Sequence, residues 1–130
     1  MFSMDLGSRR CDGQVVVALH GELDIADAAV VAAALETVAE REPRIIVDLA
    51  GLEFIDCGGL AALTRGRKHA RQAGGDLVLA APRKRILRIL AINGTGLSVH
   101  ASVEEAAGSA GDPRRVVAMN GAAGLAVPPK

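Results

Sequence analysis

Short apolar runs rich in branched residues alternate with stretches of helical period along most of this chain. That alternation constrains the fold more than any other feature. The runs are residues 15–19 (VVVAL), 45–49 (IIVDL), 77–80 (LVLA) and 97–99 (LSV). Each is too short for a buried helix and suits a buried strand. Asp12-Gly13 before the first run reads as a hairpin turn, which makes residues 4–11 a polar edge strand.

Between the runs the period changes. Asp24 or Asp27 can cap a helix reaching about Arg41, with Ala28, Val31, Leu35 and Val38 on one face and Pro43 blocking continuation. Residues 50–55 read as a short connection carrying apolar anchors, with Phe54 expected in the core. Gly58-Gly59 then opens a second helix, with Leu60 and Leu63 inward and Arg65, Lys68 and Arg71 outward. Gly74 is its expected left-handed terminator. Pro82 is placed in the first turn of a third helix, which turns Ile86, Ile89 and Leu90 to one side and stops near Asn93-Gly94. Ser102 with Glu105 forms a capping box for a short last helix.

Strands separated by helices imply parallel pairing through helical crossovers, and the leading hairpin makes the sheet mixed. The expected fold is therefore α/β, a mixed and mostly parallel sheet of four to five strands with about four helices. One domain over residues 1–107 and a Gly-, Ala- and Pro-rich tail over 108–130, mostly disordered, account for the 130 residues. In such a sheet functional loops lie at the carboxyl ends of the parallel strands, here residues 21–25, 50–59 and 80–84.

Composition excludes several functions. The formal net charge is zero, which argues against nucleic-acid binding and against a polybasic membrane patch. Aromatic residues are 2%, with no Trp or Tyr to stack bases or sugars. No apolar stretch approaches the ~20 residues of a membrane span, so no membrane insertion is expected. Residues 1–10 lack the apolar core of a secretory signal, and Cys11 and Cys57 read as reduced cytosolic thiols, so a cytoplasmic location is expected. His20, His69 and His100 are scattered without zinc-site spacing, and no metal or other cofactor is expected. An arginine six residues after Cys57, which a cysteine phosphatase needs, is replaced by Leu63. No enzymatic activity is expected.

Three segments carry a resemblance to a known family. They are His20-Gly21-Glu22-Leu23-Asp24, then residues 46–60 (IVDLAGLEFIDCGGL), then Gly74-Gly75-Asp76 with the following LVLA, Pro82 and residues 86–90 (ILRIL). In order and spacing, over about residues 8–107, they resemble the STAS domains of sulfate transporters and anti-sigma factor antagonists. The resemblance implies a free-standing regulator that binds an anti-sigma factor, usually a serine kinase of the histidine-kinase-like ATPase fold, and so releases a sigma factor. It also implies a phosphorylatable Ser or Thr before the glycine of D-S-[ST]-G-L. Here that position is Gly58, which has no hydroxyl, and Cys57 replaces the preceding serine. Phosphorylation at that position is chemically impossible, so the family's switch is missing.

The same loop supplies the candidate site. A helix N-terminus favours negative charge through its free amides and dipole. There the Cys57 thiol is expected to have a lowered pKa and could serve as a redox switch; the alternative is a small buried residue in place of serine. Gly58-Gly59 reads either as part of the docking surface or as a plain flexible helix entry. Asp24 and Asp56 are partner contacts or helix caps, and Glu22 is the more exposed contact. Glu22, Asp24, Asp56, Cys57, Gly58, Gly59, Arg65 and Lys68 form the expected partner surface. A Cys11–Cys57 disulfide is not expected, because the topology puts the two at opposite ends of the strands. Two other functions compete: a STAS subunit of a membrane lipid-transport ATPase complex, and a cysteine-dependent redox protein or enzyme built on Cys57.

Overall fold

Nine elements make up the residues that the computed structural model describes, 4–11, 13–93 and 96–110. The strands are β1 (Met4–Cys11), β2 (Gln14–Leu23), β3 (Arg44–Ile55), β4 (Asp76–Ala80) and β5 (Val99–His100). The helices are α1 (Ile25–Arg41), α2 (Cys57–Gln72), α3 (Lys84–Asn93) and α4 (Val103–Ala110). The sheet runs β1-β2-β3-β4-β5 in space as in sequence. β1 is antiparallel to β2 across the turn at Gly13, and the other four strands are parallel. Parallel neighbours need a crossover, which α1, α2 and α3 supply in turn. The expected mixed, mostly parallel α/β sheet is what forms.

Side chains of successive strand residues point to opposite faces, and both faces are apolar here. On one face Val17, Leu19, Val47, Leu49 and Leu79 pack with Val31, Leu35, Leu63 and Ile86 from the first three helices. On the other, Val16, Ile46, Val78 and Ala80 pack beneath Val103 and Ala106 of α4, a much smaller core. Each fully buried Leu, Ile or Val contributes about 1.5–3 kcal/mol.

The local signals act as read. The Asp24 side chain accepts from the amides of Ala26 and Asp27, so Asp24 rather than Asp27 caps α1. Gly74 has φ +97°, and the amides of Gly74 and Gly75 donate to Arg71 and Ala70 carbonyl oxygens at 3.1 and 2.9 Å, closing α2 as a Schellman turn. Ser102 Oγ accepts from the Glu105 amide at 3.0 Å, while the Glu105 carboxylate returns to the amide of Ala101.

Five expectations are corrected. Residues 50–55 are not a connection: β3 continues to Ile55, because two register shifts let its second half follow β2 around an irregular bend. Phe54 consequently falls on the far side of the strand from buried Ile55 and is 40% exposed, not core. Pro82 precedes α3 instead of sitting in its first turn; the first turn forms around Arg83, whose carbonyl oxygen accepts from the Leu87 amide at 2.8 Å. β5 is shifted to Val99–His100, since its pairing is set by the β4 register at Leu79 and Ala80 and not by its own apolar pattern. α4 runs to Ala110, past the expected boundary at 107; residues 111–130 lie outside the described residues.

Candidate functional site

The carboxyl ends of β2 and β3 lie side by side, with Leu23 opposite Ile55. The chain leaves both strands through an aspartate, Asp24 and Asp56, so α1 and α2 start next to each other. The Asp56 amide donates to the Leu23 carbonyl oxygen at 3.2 Å. The Asp56 carboxylate is divided between the two helices. Oδ1 accepts from the Gly59 amide at 3.0 Å, capping α2, and Oδ2 accepts from the Ile25 amide at 3.1 Å, the first residue of α1. Asp24 and Asp56 thus serve as caps, and the amides of Ile25, Ala26, Asp27 and Gly59 are already occupied by side chains of the chain itself.

The glycines of the loop answer to packing. A β-carbon on Gly58 would stand 2.9 Å from Ile25 Cα, and one on Gly59 would stand 2.7 Å from the Leu23 carbonyl oxygen. Side-chain-free residues let the two helix entrances meet. Gly59 is buried. It supports the site from beneath instead of forming its surface, a correction to its place in the expected contact set.

What the surface presents is apolar. Ile25 is 75% exposed beside Gly58, and Cys57 is a free, exposed thiol. The reading of Cys57 as a small buried residue therefore fails: as the first residue of α2 it precedes the turn that meets the core. Glu22 is exposed as expected and pairs with Phe54. Because Leu23 and Ile55 point into the main core, Glu22 and Phe54 project from the opposite sheet face. The expected contacts are thus split across the rim. Along α1 the exposure continues to Val30, 68% exposed.

Arg65 and Lys68 lie further along α2. Arg65 bonds Glu36 of α1 at 2.9 Å, and His69 meets the same carboxylate oxygen at 3.2 Å. An exposed pair of this kind is worth about 0–1 kcal/mol, so it positions more than it stabilises. Lys68 is exposed and lies in an open groove with Thr64, Arg67, Arg71 and Gln72. Cys11 ends β1 at the opposite end of the sheet from Cys57, consistent with no bridge between them.

Sequence reasoning missed Ile25 and Val30. By spacing Ile25 belongs to the stripe of Ala28, Val31 and Leu35. It is exposed because full burial on α1 begins only at Val31, where the helix has reached the sheet face. An isoleucine directly after an N-cap and opposite D-x-G-G was the available signal. Among the described residues no group of three or more His, Cys, Asp or Glu could hold a metal, and no helix is long and apolar enough to cross a membrane.

Comparison with known proteins adds the following. Residues 6–99 match the family model described as Mlab, STAS domain. The chain is 32% identical over 103 residues to the anti-sigma-F factor antagonist RsfA of Mycobacterium tuberculosis, covering 73% of this chain and 78% of that one. A crystal structure of an anti-sigma factor antagonist from Mycobacterium paratuberculosis superposes with TM-score 0.67 at 21% identity, covering 85% of this chain and 96% of that one. The anti-sigma factor antagonist SpoIIAA in its unphosphorylated form gives TM-score 0.62 at 21% identity over 81% and 94% of the two chains. At these identities the structures establish a shared fold.

Proposed function

The chain belongs to the STAS domain family, and from that premise we propose that it is a cytoplasmic anti-sigma factor antagonist, working by binding and not by turnover. Its partner is an anti-sigma factor of the serine-kinase type with a histidine-kinase-like ATPase fold. The observation that carries this reading is the paired start of α1 and α2. There Ile25 and Cys57 stand exposed on a floor of Gly58 and Gly59 that one carboxylate holds rigid.

Gly58 occupies the position where the family resemblance puts the phosphorylated hydroxyl. It offers no acceptor, and the space above it is taken by the Ile25 backbone. The kinase partner therefore has no means of turning this surface off there, and the protein acts as an antagonist that is always competent.

Isothermal titration against the host's kinase-type anti-sigma factors, with ATP present, tests this. One of them binds, no phosphate is transferred to the first turn of α2, and Ile25→Asp weakens binding about tenfold or more without lowering stability, since Ile25 is exposed. Absence of binding by every candidate, or phosphate on that turn, overturns the reading. Co-purification with a membrane ATPase in place of an anti-sigma factor would put the membrane-complex alternative first.

A further inference from the structure

Charge is divided along this chain. Between Gly13 and Asp56 lie nine acids and two arginines; between Cys57 and Val103 lie eight lysines and arginines and one acid, Asp76. The two halves offset each other, and the zero net charge conceals them. Part of the basic half is used internally. Arg65 bonds Glu36, and Arg67 bonds Asp76 at 3.2 Å and the Gly96 carbonyl oxygen at 2.9 Å. Lys68 and Arg71 are exposed, and their side chains enter no ion pair or hydrogen bond among the described residues. With Thr64 they stand at i, i+4 and i+7, on one flank of α2, in an open groove of about 430 Å³ also lined by Arg67 and Gln72.

We propose that this groove is an electrostatic docking strip for a carboxylate-bearing segment of a protein partner. The inference rests on the reading above that the start of α2 faces the partner. Cys57 and Lys68 are on one continuous helix, about 16 Å apart by helical rise, so a protein seated at the first meets the second.

The dimensions favour an acidic protein segment over a nucleic acid. From Thr64 to Arg71 the strip is about 10 Å long and offers two free cations, which suits two carboxylates a turn or so apart. A nucleic acid gains affinity by neutralising many phosphates along its length. Glu36 and Glu40 border the other flank of α2 beside Gln72 and repel a long polyanion. No Trp or Tyr is available to stack bases.

The probe is a fluorescein-labelled peptide of alternating glutamate and alanine, followed by anisotropy against the full chain, with an oligothymidylate of equal charge as comparator. The peptide binds at about 50 mM salt and weakens about tenfold by about 300 mM. Lys68→Glu/Arg71→Glu abolishes the binding, and Lys68→Gln/Arg71→Gln weakens it about tenfold with an unchanged melting curve. No peptide binding, equal binding by both double variants, or tighter binding of the oligothymidylate overturns the proposal. The same variants titrated against the anti-sigma factor separate the two readings. Peptide binding lost with partner binding unchanged removes the strip alone, and peptide binding intact with no anti-sigma factor bound removes the antagonist alone.

Discussion

His100 shows how much a single residue can hold in this fold. It is 3% exposed at the end of β5, its Nδ1 has no partner among the described residues, and its carbonyl oxygen accepts from the amide of Ala81. Burial lowers its pKa below 6.5, with the nearby Glu105 carboxylate opposing the shift. The unfolded chain takes up a proton near pH 6.5 that the folded site refuses until lower pH. The stability contributed by neutral His100 is therefore fully present above about pH 6.5 and is lost as pH falls through the folded value. Unfolding free energies from urea titrations between pH 7.5 and pH 5 (about two and a half units) should fall with a slope of at most ~1.4 kcal/mol per unit, and His100→Gln should remove that component. Nothing in the sequence distinguished His100 from His20 or His69, because its burial comes from α4 folding back over β4 and β5.

At the scale of elements, the capping of two helices by Asp56 makes a specific prediction. Asp56→Ala should cost about 2 kcal/mol in urea unfolding, roughly one for each cap lost, against about 1 for Asp24→Ala, whose bonds serve α1 alone. Hydrogen exchange should also quicken at the Ile25 amide in the Asp56 variant, although Ile25 lies 31 residues away along the chain. Elements marked by local chemistry were legible in the sequence: the Asp24 cap, the Gly74 termination and the Ser102 box each depend on residues within a turn of one another. The extension of β3 to Ile55 was not, because its pairing follows the bulged end of β2, a partner about thirty residues earlier. Phe54 was misplaced for the same reason. The loop of the candidate site was legible as D-x-G-G, but the division of Glu22 from Ile25 across the rim depends on that bulged register. Of the expected contacts here, Cys57 faces outward and not into the core as its alternative reading had it, while Gly59 is buried, because which side of a helix start faces the core is decided by the neighbouring helix.

Over the whole molecule stability is uneven. The main core lies between the sheet and the first three helices, whereas α4 covers four buried sheet residues with two of its own and β5 adds two residues of ladder. Native-state hydrogen exchange should show the amide of Ala106 exchanging through a partial opening of lower free energy than that of Val47, whose release requires global unfolding. Equal values for the two would indicate one cooperative unit. The division of charge belongs to this scale as well. A zero net charge argued against nucleic-acid and membrane surfaces while the spacing of Arg65, Lys68 and Arg71 already turned them outward; the fold adds that Arg65 is paired with Glu36 and that Lys68 and Arg71 line an open groove. The shared carboxylate of Asp56 has a last consequence. A visitor that tugs at Ile25 strains the same oxygen pair that steadies Gly59, so disturbance at one helix mouth is transmitted to the other within a single residue. The two mouths yield or hold together, and this rim gives one mechanical answer to contact where a pair of separate loops would give two.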